Sequence, residues 1–199
     1  MPETNRKITA IILAGGRATR MGGLDKGLLT LGGRTFAEHL VNQVSSQADR
    51  VLVNANRNVE EYRKLGCPVI GDTLENFQGP LAGMLAGLGR METQWLLTLP
   101  CDGPFLAEDY GSRMLKAARG DGHALAVATD GDRLQPVYAL IHRSLARSLE
   151  DFLAAGERKI DHWYARHPFS EVSFADHSGM FINVNTPDEL AALEASDDR

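Results

Sequence analysis

The sequence predicts a three-layer α/β domain built on a mainly parallel sheet. Short apolar runs alternate with amphipathic helical stretches along the chain, as expected of strands joined by crossover helices. A glycine-rich, basic loop follows directly on the first apolar run, and single polar residues close later runs. Parallel sheets bind ligands at such strand ends. At 199 residues the chain suits one domain with one sizeable core, residues 1–199.

The elements follow in order. Residues 8–12 read as a buried strand that runs into the glycine loop of residues 13–26. Residues 28–31 lead to a turn at Gly32-Gly33, and Thr35 with Glu38 forms a capping-box pattern that opens a helix. Phe36, Leu40, Val41 and Val44 fall on one face of it. A strand over 51–53 ends in Asn54-Ala55-Asn56, a short helix covers 59–65 with Gly66 as its stop, and a brief strand at 69–70 leads to Gly71-Asp72. Pro80 suits the first turn of a helix striped by Leu81, Met84, Leu85 and Leu88.

A strand over 95–99 precedes Pro100-Cys101-Asp102-Gly103-Pro104, and a helix follows over 107–119. Strand-like runs at 123–128 and 134–140 are joined by a turn at Asp130-Gly131-Asp132; Pro136 marks the second as interrupted, bulged or at an edge. Helices over 143–155 and 160–165, strands at 172–174 and 181–184, and a last helix opened by Thr186-Pro187-Asp188-Glu189 complete the chain. The extra strands of the second half are expected to form a second pocket wall.

The loop of residues 13–26 holds four glycines, Arg17, Arg20 and Lys26, opposed only by Asp25. Glycine lets backbone N–H groups approach an anion closely, and such amide nests bind phosphate. Two commoner glycine motifs fail here. A dinucleotide fingerprint needs G-x-G-x-x-G, whereas Gly15 and Gly16 are adjacent; a P-loop needs Gly-Lys, and Lys26 precedes Gly27 instead. The bland alternative is a solvated basic loop. The position after the first strand favours a polyphosphate site.

Composition removes several classes. Hydrophobic content of 43% and charged content of 24% are those of a soluble globular protein. No apolar run approaches the roughly 20 residues that span a membrane, and the polar residues 1–7 do not resemble a secretory signal. A cytoplasmic location is the expectation. Net charge of -5 argues against general nucleic-acid binding but not against a small anion held by one basic loop. Cys67 and Cys101 lack metal-site spacing, and His162 and His167 are not four apart. Cys101 reads as a packed small hydrophobe.

Leu13-Ala14-Gly15-Gly16, then Arg20-Met21-Gly22, then Asp25-Lys26 resembles the signature of the sugar-nucleotide and molybdopterin-nucleotide transferases. The likeness is closest to the molybdenum cofactor guanylyltransferases and extends over nearly the whole chain. Two residues, Gly23 and Leu24, separate Met-Gly from Asp-Lys, a variant associated with the guanylyl branch. The resemblance implies a Rossmann-like nucleotidyltransferase fold, with a nucleotide-binding first half and a mainly pterin-binding second half. It also implies transfer of GMP from GTP to the terminal phosphate of molybdopterin, with release of pyrophosphate. Proteins that supply molybdopterin or mature molybdoenzymes would be transient partners.

Residue by residue, the resemblance implies that Leu13, Ala14, Gly15 and Gly16 line the nucleotide, and that Arg20 and Lys26 hold phosphates. Asn54 and Asp72 would meet the base or ribose side. Asp102, in a tight turn after an apolar strand, is the best acidic candidate from the residues themselves. A carboxylate facing a triphosphate needs a cation between, and Mg²⁺ suits that place. Asn183 and Asn185 match a late family motif, while Arg158 and Lys159 resemble a pterin-side loop or, equally, a helix stop with solvated charges. Competing readings are a molybdopterin cytidylyltransferase, a sugar-phosphate nucleotidyltransferase, and a non-catalytic nucleotide-delivery module. Those other transferases more often carry alanine where Gly15 stands.

Overall fold

Nine strands and seven α-helices are arranged around the first apolar run among the described residues, 8–16, 25–73 and 79–197, of a computed structural model. The strands are β1 (Ile8–Leu13), β2 (Thr30–Leu31), β3 (Arg34–Thr35), β4 (Arg50–Asn54), β5 (Val69–Ile70), β6 (Trp95–Pro100), β7 (Leu125–Thr129), β8 (Leu134–His142) and β9 (Ser170–Ser173). The helices are α1 (Phe36–Val44), α2 (Val59–Arg63), α3 (Pro80–Arg90), α4 (Tyr110–Asp121), α5 (Ala146–Ala154), α6 (Ile160–Tyr164) and α7 (Pro187–Asp197). No helix among the described residues is long and apolar enough to cross a membrane.

The main sheet has the order β5-β4-β1-β6-β8-β7-β9. β1 pairs in parallel with β4 on one side and β6 on the other, so the strand order reverses between β1 and β6. That reversal opens a crevice at the carboxyl ends of both strands. β8 alone runs antiparallel, to β6 and to β7. The expected mainly parallel sheet is therefore present.

Strand side chains alternate between two cores because successive Cβ atoms point to opposite faces. Ala10 and Ile12 of β1 pack with Leu40 and Val44 of α1 and Met114 of α4, whereas Ile11 packs with Leu81 and Met84 of α3 and Phe152 of α5. Three layers result. Thr35 caps α1 by accepting from the Glu38 N–H at 3.1 Å, as the sequence pattern predicts.

One local reading changes, and one is narrowed among its alternatives. Residues 181–184 are not a strand: a 3-10 segment, Ala175–Phe181, runs into irregular extended chain. Its apolar residues serve two different cores, Met180 and Phe181 the large one, Val184 a small cluster with Leu31, Phe36 and Leu193. Pro136 does produce a bulge, not an edge. β8 pairing with β7 steps from Val127–Ala139 to Ala128–Gln135, which loops residues 136–138 out. The Thr98 hydroxyl donates to the Val137 carbonyl at 2.6 Å, and Tyr164 donates to the Pro136 carbonyl at 2.6 Å.

Candidate active site

The crevice beyond β1 and β6 is a cleft of about 420 Å³ lined by Leu13, Gly15, Gly16, Asn54, Asp72 and Pro100, with Gly79 and Pro80 from the amino end of α3 and Val137 from the bulge. Most of the nucleotide-side residues expected from sequence thus share one cavity. Ala14 is buried behind it and contributes backbone, its N–H donating to the Asn54 carbonyl at 2.8 Å.

Asp72 and Asn54 form a single unit. Asn54, 2% exposed, donates from Nδ2 to Asp72 Oδ1 at 2.9 Å. Asn56, which the sequence marked only as following the strand end, donates to Asp72 Oδ2 at 2.8 Å and accepts from the Asp72 N–H at 2.8 Å. Its only sequence signal is the two-residue spacing from Asn54. The carboxylate is held by two amides, and each oxygen retains capacity to accept from a ligand. Close packing shapes the floor: a Cβ at Gly83 would lie 2.4 Å from Asn54 Oδ1 and 2.7 Å from Leu13 Cδ2.

A second group gathers Lys26, Asp102 and Asn185. Lys26 leaves a 3-10 turn, Lys26–Leu28, and its Nζ lies 3.6 Å from Asp102 Oδ2 while donating to Asn185 Oδ1. Asp102 follows β6 by two residues, and its carbonyl accepts from the Val184 N–H at 2.7 Å, which draws the late asparagine motif over the turn. Asp102 Oδ1 is buried with no hydrogen-bond partner among the described residues. Burial raises the Asp102 carboxyl above the usual carboxylate range, and the Lys26 charge only partly opposes this. Burial likewise pushes the neighbouring Cys101 thiol far up, so it is an inert packed group, as expected.

Asp25, read from sequence only as a charge opposing the basic loop, is instead buried and tied to Tyr62, Asn58 and Arg57. Arg158 donates to the carbonyls of Leu153 and Glu157 at the end of α5, while Lys159 and Asn183 are exposed. Arg20 lies outside the described residues, as do all of residues 17–24.

Comparison with known proteins gives the chain's relatives. Residues 10–172 match the MobA-like NTP transferase domain. The chain is 47% identical over 189 residues to the molybdenum cofactor guanylyltransferase of Shewanella sp. (strain MR-4), covering 95% of this chain and 96% of that protein. It is 48% identical over 187 residues to the protein of the same name from Shewanella amazonensis, covering 94% and 95%. Molybdopterin-guanine dinucleotide biosynthesis protein A of Archaeoglobus fulgidus shares the fold, with a TM-score of 0.78 at 23% identity over 96% of this chain and 98% of that one. The chain belongs to the MobA-like NTP transferase family.

Proposed function

We propose that this protein transfers GMP from GTP to the terminal phosphate of molybdopterin, yielding molybdopterin guanine dinucleotide and pyrophosphate. The observation that carries the reading is a lysine ammonium 3.6 Å from a half-buried carboxylate, set beside a cleft at the sheet's reversal point. Relatives matched along nearly the whole chain and named as molybdenum cofactor guanylyltransferases support it.

The unpartnered Oδ1 of Asp102 fits a divalent cation such as Mg²⁺, which takes one or two carboxylates and completes its shell with phosphate oxygens and water. No cluster of three His, Cys, Asp or Glu able to hold a metal occurs among the described residues. When bound, the ion would neutralise charge on the triphosphate and on the departing pyrophosphate.

In this reading, the cleft takes the nucleoside, and the Asp72 carboxylate accepts from the guanine N1–H and 2-amino group, two adjacent donors that a carboxylate matches. Lys26 moves its charge from Asp102 to the phosphates, with Arg20 assisting. The attacking phosphate is already ionised at neutral pH and needs no strong base, so catalysis consists of in-line positioning and charge stabilisation. Asn183, Asn185, Arg158 and Lys159 lie in the half assigned to the pterin. The place of work is the cytoplasm, with brief contacts to proteins that supply the pterin and receive the product.

Pyrophosphate release, measured with Mg²⁺ and each of the four nucleoside triphosphates with and without molybdopterin, tests the reading. Release with GTP only when molybdopterin is present is expected. Release with CTP would reassign the base, and GTP binding without release would make the protein a delivery module.

A further inference from the structure

The Asp25 side chain, immediately before Lys26, is only 4% exposed. A carboxylate so placed is costly unless donors and charge meet it. Among the described residues, those that meet it come from one short segment. Tyr62 donates to Oδ1 at 2.6 Å, Asn58 Nδ2 donates to Oδ2 at 3.0 Å, and the Arg57 guanidinium lies 3.7 Å from Oδ2. Burial keeps the Tyr62 phenol protonated, so it is the donor.

Asn58 is the one non-glycine residue with positive φ, 51°, among the described residues. Asparagine tolerates that left-handed shape better than most side chains. Asn58 stands at the amino end of α2, yet its amide does not cap the helix and reaches Asp25 instead. Gly27 closes the arrangement from the other side: a Cβ there would lie 2.5 Å from the Tyr62 hydroxyl and 3.2 Å from Cys101 Cβ. Residues 25–27 are therefore wedged between α2 and the turn that carries Asp102.

We propose that Tyr62, with Asn58, is a positioning residue for Lys26. By fixing Asp25 it holds the 3-10 turn so that the Lys26 ammonium faces Asp102 and the incoming triphosphate. The inference rests on the phosphate-binding role given to Lys26 above. A tyrosine that merely fills the core would raise stability without acting through Lys26, and a double-mutant cycle separates the two.

Tyr62→Phe keeps the ring packing and removes one donor. The dissociation constant for GTP with Mg²⁺ is measured by titration calorimetry for the wild type, Tyr62→Phe, Lys26→Ala and the double variant, each checked for folding by its melting curve. Tyr62→Phe is expected to weaken binding about three- to tenfold in the wild type, and to have no further effect once Lys26 is alanine. Equal weakening in both backgrounds, or none in either, overturns the proposal and leaves the role of Lys26 standing. Wild-type affinity in Lys26→Ala means that the phosphate role of Lys26 itself has failed, and the positioning role falls with it. Asn58→Gly, which suits the left-handed backbone and deletes only the amide, runs through the same cycle and decides the matter if Tyr62→Phe does not fold.

Discussion

Lys26 Nζ stands 3.6 Å from Asp102 Oδ2, yet the pairing leaves the other carboxylate oxygen buried without a partner among the described residues. The side chains are 20% and 25% exposed, so screening keeps the pair weak, and burial outweighs it in setting the Asp102 pKa upward. The charge at Asp102 therefore costs stability. A cation meeting that charge during turnover, as proposed above, would offset the cost.

Asp102→Asn should accordingly separate function from stability. Turnover is expected to fall by about two orders of magnitude or more, while the melting temperature at neutral pH rises above that of the wild type. The sign follows from linkage. A carboxyl with a raised folded pKa holds its proton more tightly in the folded state, so wild-type stability falls as pH rises from the unfolded to the folded pKa. The gap between variant and wild type is then fully open above that window and closes below the ordinary carboxylate range. Melting curves of both proteins across acid and neutral pH check this, and a variant less stable than the wild type at neutral pH would contradict it.

Gly15 and Gly83 border Asn54 with different clearances, which ranks two substitutions. At Gly15 a Cβ would sit 3.0 Å from Asn56 Nδ2 and 3.1 Å from Asn54 Oδ1, tight contacts that small side-chain shifts can relieve. At Gly83 it would sit 2.4 Å from Asn54 Oδ1, inside a packed helix–sheet interface. Gly15→Ala is expected to raise the KM for GTP roughly tenfold with little change in stability, because it disturbs the Asn54–Asp72–Asn56 unit alone. Gly83→Ala should also lower stability by about 1–3 kcal/mol. Steady-state kinetics paired with denaturant unfolding distinguishes them.

The fold was legible in sequence because it rests on local signals. Alternating apolar runs marked β1, β4 and β6, Thr35 and Glu38 marked the start of α1, and Pro136 marked the bulge beside the cleft. The site was legible wherever a polar residue ended a strand, as Asn54, Asp72 and Asp102 do. It was not legible where meaning comes from pairing across the chain. Asp25 meets Tyr62 37 positions later, and Asn56 meets Asp72 16 positions later; neither pairing leaves a local mark. Residues 181–184 misled for a related reason, since their apolar spacing serves two separate cores and not one sheet face.

Arg158 and Lys159, adjacent in sequence, are expected to behave differently. Arg158 donates to the Leu153 carbonyl at 2.8 Å, which also accepts from the Gly156 N–H at 3.1 Å, and so adds a side-chain bond at the end of α5. Arg158→Ala should lower stability by about 0.5–1 kcal/mol whatever its part in substrate binding. Lys159 is exposed, and Lys159→Ala should leave the melting temperature unchanged. If Lys159 serves the pterin side as proposed, its KM for molybdopterin rises several-fold while that for GTP holds. A KM change confined to GTP would move Lys159 to the nucleotide side.

Gly103 governs how the late asparagine motif meets the turn that carries Asp102. A Cβ there would fall 2.2 Å from the Ile182 carbonyl oxygen, which is backbone and cannot rotate aside. The next link, the 2.7 Å bond from the Val184 N–H to the Asp102 carbonyl, would open as residues 182–185 moved away. Asn185 would leave Lys26, and the Val184 side chain would withdraw from Leu31, Phe36 and Leu193. Gly103→Ala is therefore expected to cost about 1–3 kcal/mol, from overpacking, with a melting temperature lower by about 2–10 °C. Activity should fall more than that loss of folded protein explains at a temperature where the variant stays folded. GTP affinity should fall less than turnover, because Asn54 and Asp72 are held by each other and by Asn56, not by residues 182–185. Calorimetric GTP binding set beside single-turnover rates measures both, and an equal fall in the two would place the damage in the cleft instead.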